Sequence, residues 1–323
     1  RASAYGTVPL AALDTSRRQQ PENGEQMDLK LRLDEADLSI LPFLSKEISW
    51  AQGPTQGELA LGGTLDRPRI NGHVSVKNGI VKLAMLNDPI LNVGVDIQFQ
   101  NDKINVNTFE GQLGSGSYQV TGSARLQGFS LADYDLTASL NNPFITSKYF
   151  RGPVNGNLSL KSDRGRPVLA GRLRLENDTI DIPLVPDLQS SDLNLGLDLE
   201  VSAGNKVRLY NPYLYDIQVG GRVNFAGTTQ RPDASGRFFA KRGTVSYLRT
   251  QFTIKEAVAE FSQFGSFEPV LRLSAETKLQ RTKVTLGING PVSEMNFTLE
   301  SDPAMSQQEL LSLLTLRSRY FSD

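Results

Sequence analysis

The chain has 323 residues, with 34 Lys and Arg against 35 Asp and Glu, a single His and no Cys. A formal net charge of −1 gives the chain as a whole no electrostatic footprint for nucleic acid or an anionic membrane surface, and the lack of Cys excludes disulfides and thiolate chemistry. With 28 Gly and 16 Pro the composition suits many short strands separated by turns. That length allows two ordinary domains or one elongated all-β unit.

The chain opens on Arg1 rather than Met and has neither a signal-like apolar core nor an apolar run long enough to span a bilayer. It is therefore expected to be a processed piece of a longer protein. Residues 1–26 are polar and aperiodic and read as a linker or loop. Leu29, Leu31 and Leu33 then alternate as a strand, and the stretch 37–44 suits a helical turn capped by Asp37 and interrupted by Pro42.

From Gly57 onward, strand follows strand. Leu59 and Leu61, Val74 and Val76, then Val93, Val95, Ile97 and Phe99, then Ile104 and Val106 fall on alternate positions. A period of two puts such residues on one face of a pleated sheet. The pattern resumes at Leu158 and Leu160, Leu173 and Leu175, the ladder Leu193, Leu195, Leu197, Leu199 and Val201, and Ile217, Val219, Val223 and Phe225.

A phrase recurs within this run. Arg67-Pro68 is followed by Gly72 and Gly79, Arg166-Pro167 by Gly171 and Asp178, and Arg231-Pro232 by Gly236 and Gly243, with the same spacings. It predicts a turn at the X-Pro step, a strand through the first glycine and a tight turn at the second position. The copies are unevenly spaced, so the expectation is stacked hairpins rather than a strict solenoid.

In the last quarter Leu271, Leu273 and Ala275, then Val284, Leu286 and Ile288, then Met295, Phe297 and Leu299 alternate with polar residues. After Ser301-Asp302-Pro303, Ser306 and Glu309 stand at capping-box spacing before Leu310, Leu311, Leu313 and Leu314, predicting a terminal helix over 306–316. The predicted organisation is a linker (1–26), repeated hairpins (27–236) and a C-terminal domain (237–323).

Residues that carry chemistry are sparse. His73 has no Cys to join it in a zinc site and reads as an outward polar residue; no metal site and no catalytic residue is expected. Asp34, Glu35 and Asp37, or Asp96 and Asp102, read as solvated faces rather than a glycosidase pair. Gly114-Ser115-Gly116-Ser117 reads as a hairpin turn, not a phosphate loop. Apolar rows of this kind need covering by a second sheet, a membrane or acyl chains. Regular aromatic girdles, which a transmembrane barrel needs, are missing. Lys241, Arg242, Arg249, Lys255, Arg272, Lys278, Arg281 and Lys283 make the last domain locally cationic, which reads first as protection of exposed strands.

The ordered motifs Gly243-Thr-Val, Phe252-Thr-Ile, Ala259-Glu-Phe, Pro269-Val-Leu, Val284-Thr-Leu, Gly290-Pro-Val and Ser301-Asp-Pro, followed by the Ser306 and Glu309 leucine run, resemble the TamB C-terminal domain family of the AsmA-like bridge-like lipid-transfer proteins. The hairpins with Gly62-Gly63-Thr64-Leu65 and Arg67-Pro68 are similar to that group's repeats. The resemblance implies an all-β fold, an elongated antiparallel sheet curled into a trough (a β-taco) of stacked hairpins with an apolar inner face and a short C-terminal helix. It implies a periplasmic protein of a diderm bacterium, bridging inner and outer membranes, with an inner-membrane anchor in a missing N-terminal part and no cofactor. Expected partners are phospholipid acyl chains and an Omp85-family, TamA-like outer-membrane protein.

On that basis the expected groove lining is Val93, Val95, Ile97, Phe99, Leu193, Leu195, Leu197, Leu199, Val219, Val223, Phe225, Leu271, Leu273, Val284, Leu286, Ile288, Phe297 and Leu299. Leu310, Leu311, Leu313 and Leu314 are expected to plug the groove's end or to contact the partner. The expected function is a noncatalytic groove conducting phospholipid acyl chains in outer-membrane biogenesis. The alternative is a scaffold or chaperone for outer-membrane protein assembly that acts by β-augmentation.

Overall fold

In a computed structural model of the chain, residues 2–7, 26–181, 194–262 and 265–320 are described, with backbone alone at 2, 35 and 317–320. Two compact units emerge, one of 1–148 with 155–170, the other of 149–154 with 171–323.

The first unit is built from β1 (Ala2–Thr7), β2 (Asp28–Asp37), β3 (Ile48–Gln52), β4 (Pro54–Gly63), β5 (Pro68–Leu83), β6 (Ile90–Asn101), β7 (Lys103–Leu113), β8 (Gly116–Gln127), β9 (Ser130–Asn141), β10 (Phe144–Thr146) and most of β11 (Phe150–Asp163). A short helix α1 (Leu41–Leu44) lies between β2 and β3. The pairing order β1, β2, β4, β5, β6, β7, β8, β9, β11 is antiparallel throughout, and β3 extends β4 along β5. Ala2–Thr7 thus corrects the expectation of a linker from the first residue, since this stretch pairs with β2; residues 8–25 lie outside the described set. Pro42 stands in the first turn of α1, where its missing N–H is harmless, so it begins the helix instead of interrupting it.

The second unit contains the ends of β11 and β12 (Arg166–Leu175), then β13 (Thr179–Ile180), β14 (Gly196–Asn211), β15 (Tyr215–Gly227), β16 (Pro232–Tyr247), β17 (Thr250–Phe261), β18 (Val270–Leu279), β19 (Thr282–Pro291), β20 (Asn296–Asp302) and helix α2 (Gln307–Tyr320). From β14 to β20 each strand pairs antiparallel with the next. A departure from the antiparallel expectation is β13, which pairs parallel with β14. Tyr247 on β16 stacks on Phe297 of β20 with ring centroids 5.7 Å apart. Four flat strand spacings would hold those backbones about 19 Å apart, so this unit's sheet bends round on itself.

Two of the three copies of the recurring phrase share one local structure, while at the third Arg166 already begins β12. Thr64 and Arg67 close a turn in which Thr64 N donates to Arg67 O (3.3 Å) and Arg67 N to Thr64 Oγ1 (3.2 Å); Thr228 and Arg231 repeat both bonds at 3.0 and 2.9 Å. Gly72 and Gly236 have φ of +136° and +112°, where an added Cβ would lie 1.8 Å from Glu58 O and 2.4 Å from Arg222 O. Only glycine lets the neighbouring strand approach this closely. The second position is not the expected turn in two of the three copies. Gly79 lies inside β5 and Gly243 inside β16, and each strand absorbs the irregularity as a bulge, with register skips between Val76 and Gly79 and between Ala240 and Arg242. Only the Asn177-Asp178 copy breaks the strand, between β12 and β13.

Candidate functional site: an apolar sheet face

Register decides whether alternating residues form separate patches or one surface. In the first unit, Leu31, Leu59, Gly72, Phe99, Ile104, Ala124 and Tyr134 are successive cross-strand partners. So are Gly57, Val74, Ile97, Val106, Gly122, Leu136 and Leu160. Apolar residues therefore meet apolar residues across the sheet, and the opposite face carries exposed Asp96, Gln98 and Gln100. Two mainly polar cavities touch these rows at their margins, one of about 530 Å³ among Asn71, His73, Asp96, Gln98 and Asn107 with Phe99 at its edge, the other, in the second unit, of about 320 Å³ among Glu256, Arg272, Thr285 and Glu300 with Leu273 at its edge. With Leu59, Val74, Ile97 and Phe99 half-buried, the apolar face is partly open to solvent.

Covering varies along this face. Val93 is buried with Ile90 and Leu113, packed by Leu83, Leu86, Tyr118 and Ile145, whereas Val95, Ile97 and Phe99 further along the same strand are half-buried. Burial pushes the Tyr118 phenol up to about 12. In the second unit Leu195, Leu197, Leu199, Leu271, Leu273 and Ile288 are half-buried, and Val219 and Val223 are buried; Leu193 lies outside the described residues. Half-buried Phe225 meets Phe261 and Phe267 edge to face at 6.0 and 5.8 Å, and Phe261 meets Phe238 at 6.0 Å. Phe297 is exposed apart from its stack on Tyr247.

Helix α2 closes the other part of the second unit's face. Leu310 and Leu314, one helical turn apart, are fully buried against Phe252, Ala275, Leu279, Val284, Leu286 and Leu299, with Leu313 half-buried beside them and Leu311 exposed. Its N-terminus is fixed by the reciprocal box, Ser306 N donating to Glu309 Oε2 (2.9 Å) and Glu309 N to Ser306 Oγ (3.2 Å). The helix runs to Tyr320, four residues past the expected 316. Val284, Leu286 and Leu299 thus belong to a packed core at this end.

Sequence periodicity missed part of the face. Leu136 carries a row onto β9, where it meets Leu160 of the alternating pair on β11, and Phe238 and Phe261 join the aromatic cluster. Phe238-Phe239 offers aromatic residues to both faces, so only pairing tells which one points inward. The polar candidates have structural surroundings. The Asp37 carboxylate accepts from Ser39 N (2.9 Å) and Gly53 N (3.2 Å), bonds that hold it below the usual carboxylate range. Asp102 lies 3.9 Å from Arg125, and His73 is exposed. No group of three metal-ligating side chains occurs among the described residues.

A family model described as the TamB C-terminal domain matches residues 105–321, beginning well upstream of the last quarter. The chain is 21% identical to translocation and assembly module subunit TamB of Haemophilus influenzae, over 91% of this chain and 25% of that protein. It is 22% identical to the chloroplastic protein SUBSTANDARD STARCH GRAIN 4 of Oryza sativa subsp. japonica, over 85% of the chain and 15% of that protein. Against the chloroplastic protein TIC236 of Arabidopsis thaliana the identity is 20%, over 49% and 7% respectively. The chain spans a quarter or less of the length of these relatives.

Proposed function

The chain belongs to the TamB C-terminal domain family, and from that premise we propose that it is a noncatalytic groove that binds and conducts phospholipid acyl chains between the membranes of a bacterial envelope. The observation that carries this reading is the set of in-register apolar rows left half-open around Ile97 and Phe99 in the first unit and around Leu199 and Phe225 in the second. Burying one methylene is worth about 0.8 kcal/mol, so ten of them would gain roughly 8 kcal/mol before ordering costs. Contact of this kind has no preferred direction and repeats along the rows, so a tail can slide while its headgroup stays in water. No catalytic group is required. The setting is periplasmic, with the chain serving as part of a longer envelope-spanning protein.

The test is acyl-chain photocrosslinking from positions on both faces, with copurified phospholipid measured by mass spectrometry. Crosslinks are expected at Ile97 and Phe225 and not at Gln98. Ile97→Asp should bring bound lipid to background with the thermal midpoint nearly kept, because the site already meets solvent; Phe225→Asp should do the same with a lower but measurable midpoint, since it also removes two edge-to-face ring contacts. Leu286→Asp, beneath α2, should instead unfold its unit. Lipid retained in both folded charge variants would defeat the groove.

A second reading rests on β20, which pairs with β19 along one edge and with no other strand among the described residues. Such an edge, on which Gln307 Nε2 donates to Leu299 O (2.6 Å), can add a strand from a nascent outer-membrane protein or from an Omp85-family, TamA-like partner once that side chain gives way. Tight partner binding by a chain that copurifies without phospholipid would favour this scaffold role.

A further inference from the structure

We propose that one margin of the second unit, the line of turns 211–215, 247–250 and 279–282, is a docking surface for an anionic lipid membrane. The proposal goes beyond the acyl-chain groove, since it concerns an intact bilayer surface and turns lying outside the apolar rows. Antiparallel order brings these three turns to the same side of the sheet, as the connections β14–β15, β16–β17 and β18–β19. The first two are tied together by Ser246 N donating to Leu214 O (2.8 Å). Behind them Val245, Phe252 and Leu279 belong to the cluster packed under α2, which gives the margin a firm backing.

The turn tips are apolar where solvent meets them. Tyr213 is 83% exposed, held by its N–H donating to Asn211 Oδ1 (3.0 Å), and Leu248 and Leu214 are 41% and 38% exposed. The connection at 248–249 is a two-residue hairpin turn in which Leu248 and Arg249 have φ of +48° and +59°. Asn-Gly is the pair that suits such a turn, and a side-chain-bearing Leu-Arg pair is strained there. The sequence keeps a leucine and a cation at the tip against the backbone's preference.

The surroundings are cationic. Arg249, Lys278, Arg281 and Lys283 are all exposed, and Lys278 stands directly opposite Lys283 in the β18–β19 pair, a like-charge placement that an external anion relieves. None of the three turns contains a carboxylate. The nearest acids are already engaged: Asp181 accepts from Tyr215 Oη (3.0 Å) and Asn211 Nδ2 (3.4 Å), Asp216 pairs with Arg208 at 2.7 Å, Glu276 lies 3.7 Å from Lys283 and 3.9 Å from Lys255, and Asp302 is the register partner of Lys283. Tyrosine and leucine tips among dispersed Lys and Arg are the chemistry of a bilayer interface, where rings and alkyl groups enter the headgroup layer and cations meet phosphates. Cations dispersed over two of these turns, beside the apolar tips of the first and second, fit a fluid surface whose headgroups arrange themselves better than a peptide that needs a seat.

The test is co-flotation of the purified chain with vesicles of phosphatidylcholine alone or of equimolar phosphatidylcholine and phosphatidylglycerol. Binding is expected to the anionic vesicles and to weaken as salt is raised. Arg281→Glu should lower affinity by about fivefold or more, the effect of one cation near such a surface. The double variant Leu248→Asn with Arg249→Gly separates docking from folding, because it relieves the turn. Its thermal midpoint should rise while its affinity for anionic vesicles falls at least about tenfold. Parent-like flotation of this variant, equal binding of the parent to both vesicle types, or light scattering that shows the turns joining two copies of the chain would each overturn the proposal. Acyl-chain loading of the same variant should stay at the parent level; loss of loading in the Ile97→Asp protein with vesicle binding intact keeps the two readings apart.

Discussion

Asp178 occupies the place held by Gly79 and Gly243 in the other two copies of the Arg-Pro phrase. Its side chain is buried, neither carboxylate oxygen has a hydrogen-bond partner, and an added Cβ on Gly152 would fall 2.0 Å from Oδ1. Desolvation raises its pKa from the ordinary aspartate value of 3.8 to about 7. Between those values the folded chain holds a proton that the unfolded chain has released, so this site's contribution to stability falls as pH rises through the window and stays low above it. Asp178→Asn is therefore expected to leave the thermal midpoint nearly unchanged at about pH 4 and to raise it at about pH 8, by at most about 4 kcal/mol in stability. An equal gain at both pH values would rule out the buried charge as the cause. The spacing of the phrase was a readable signal that a carboxylate stands where the fold wants glycine; its burial was not, because β11 and β14 supply the covering from elsewhere in the chain. Gly236→Ala makes the converse prediction. A Cβ aimed at Arg222 O in a left-handed backbone should lower stability by roughly 2–4 kcal/mol, read from the denaturation midpoint.

Among the elements, α2 shows how far local sequence reaches. Ser306 and Glu309 announce its start because a capping box needs only residues three apart, and Leu310 and Leu314 announce a buried stripe because they lie one turn apart. What the stripe packs against is set by β17 to β20, whose Phe252, Val284, Leu286 and Leu299 it covers. Leu314→Ala should destabilise by about 3 kcal/mol, as a fully buried leucine does, and should expose that cluster to an apolar dye. Full stability of the variant would mean the helix merely rests on the sheet. The strands β5 and β16 carry the opposite lesson. Glycine after a polar pair reads as a turn, yet pairing with the neighbouring strands continues past Gly79 and Gly243, and a bulge satisfies the backbone at less expense than ending the ladder.

For the molecule as a whole, a net charge of −1 conceals the cationic margin, because summing over the chain cancels Arg249, Lys278, Arg281 and Lys283 against acids spread along all 323 residues. The two proposed lipid contacts should separate by salt. Acyl-chain loading, being apolar, is expected to change little as salt rises, whereas flotation with anionic vesicles should fall steeply; parallel loss of both would mean a single electrostatic site. The sequence by itself determined the all-β class, the face of most strands, the three Arg-Pro phrases and the capped terminal helix, since each depends on residues within a few positions of one another. Tertiary structure alone decided that Ile97 stays half-open while Leu286, with the same alternation around it, is sealed beneath α2. Periodicity assigns a side chain to a face, but its exposure depends on what covers that face, and the covering comes from register across strands and from elements distant in the chain.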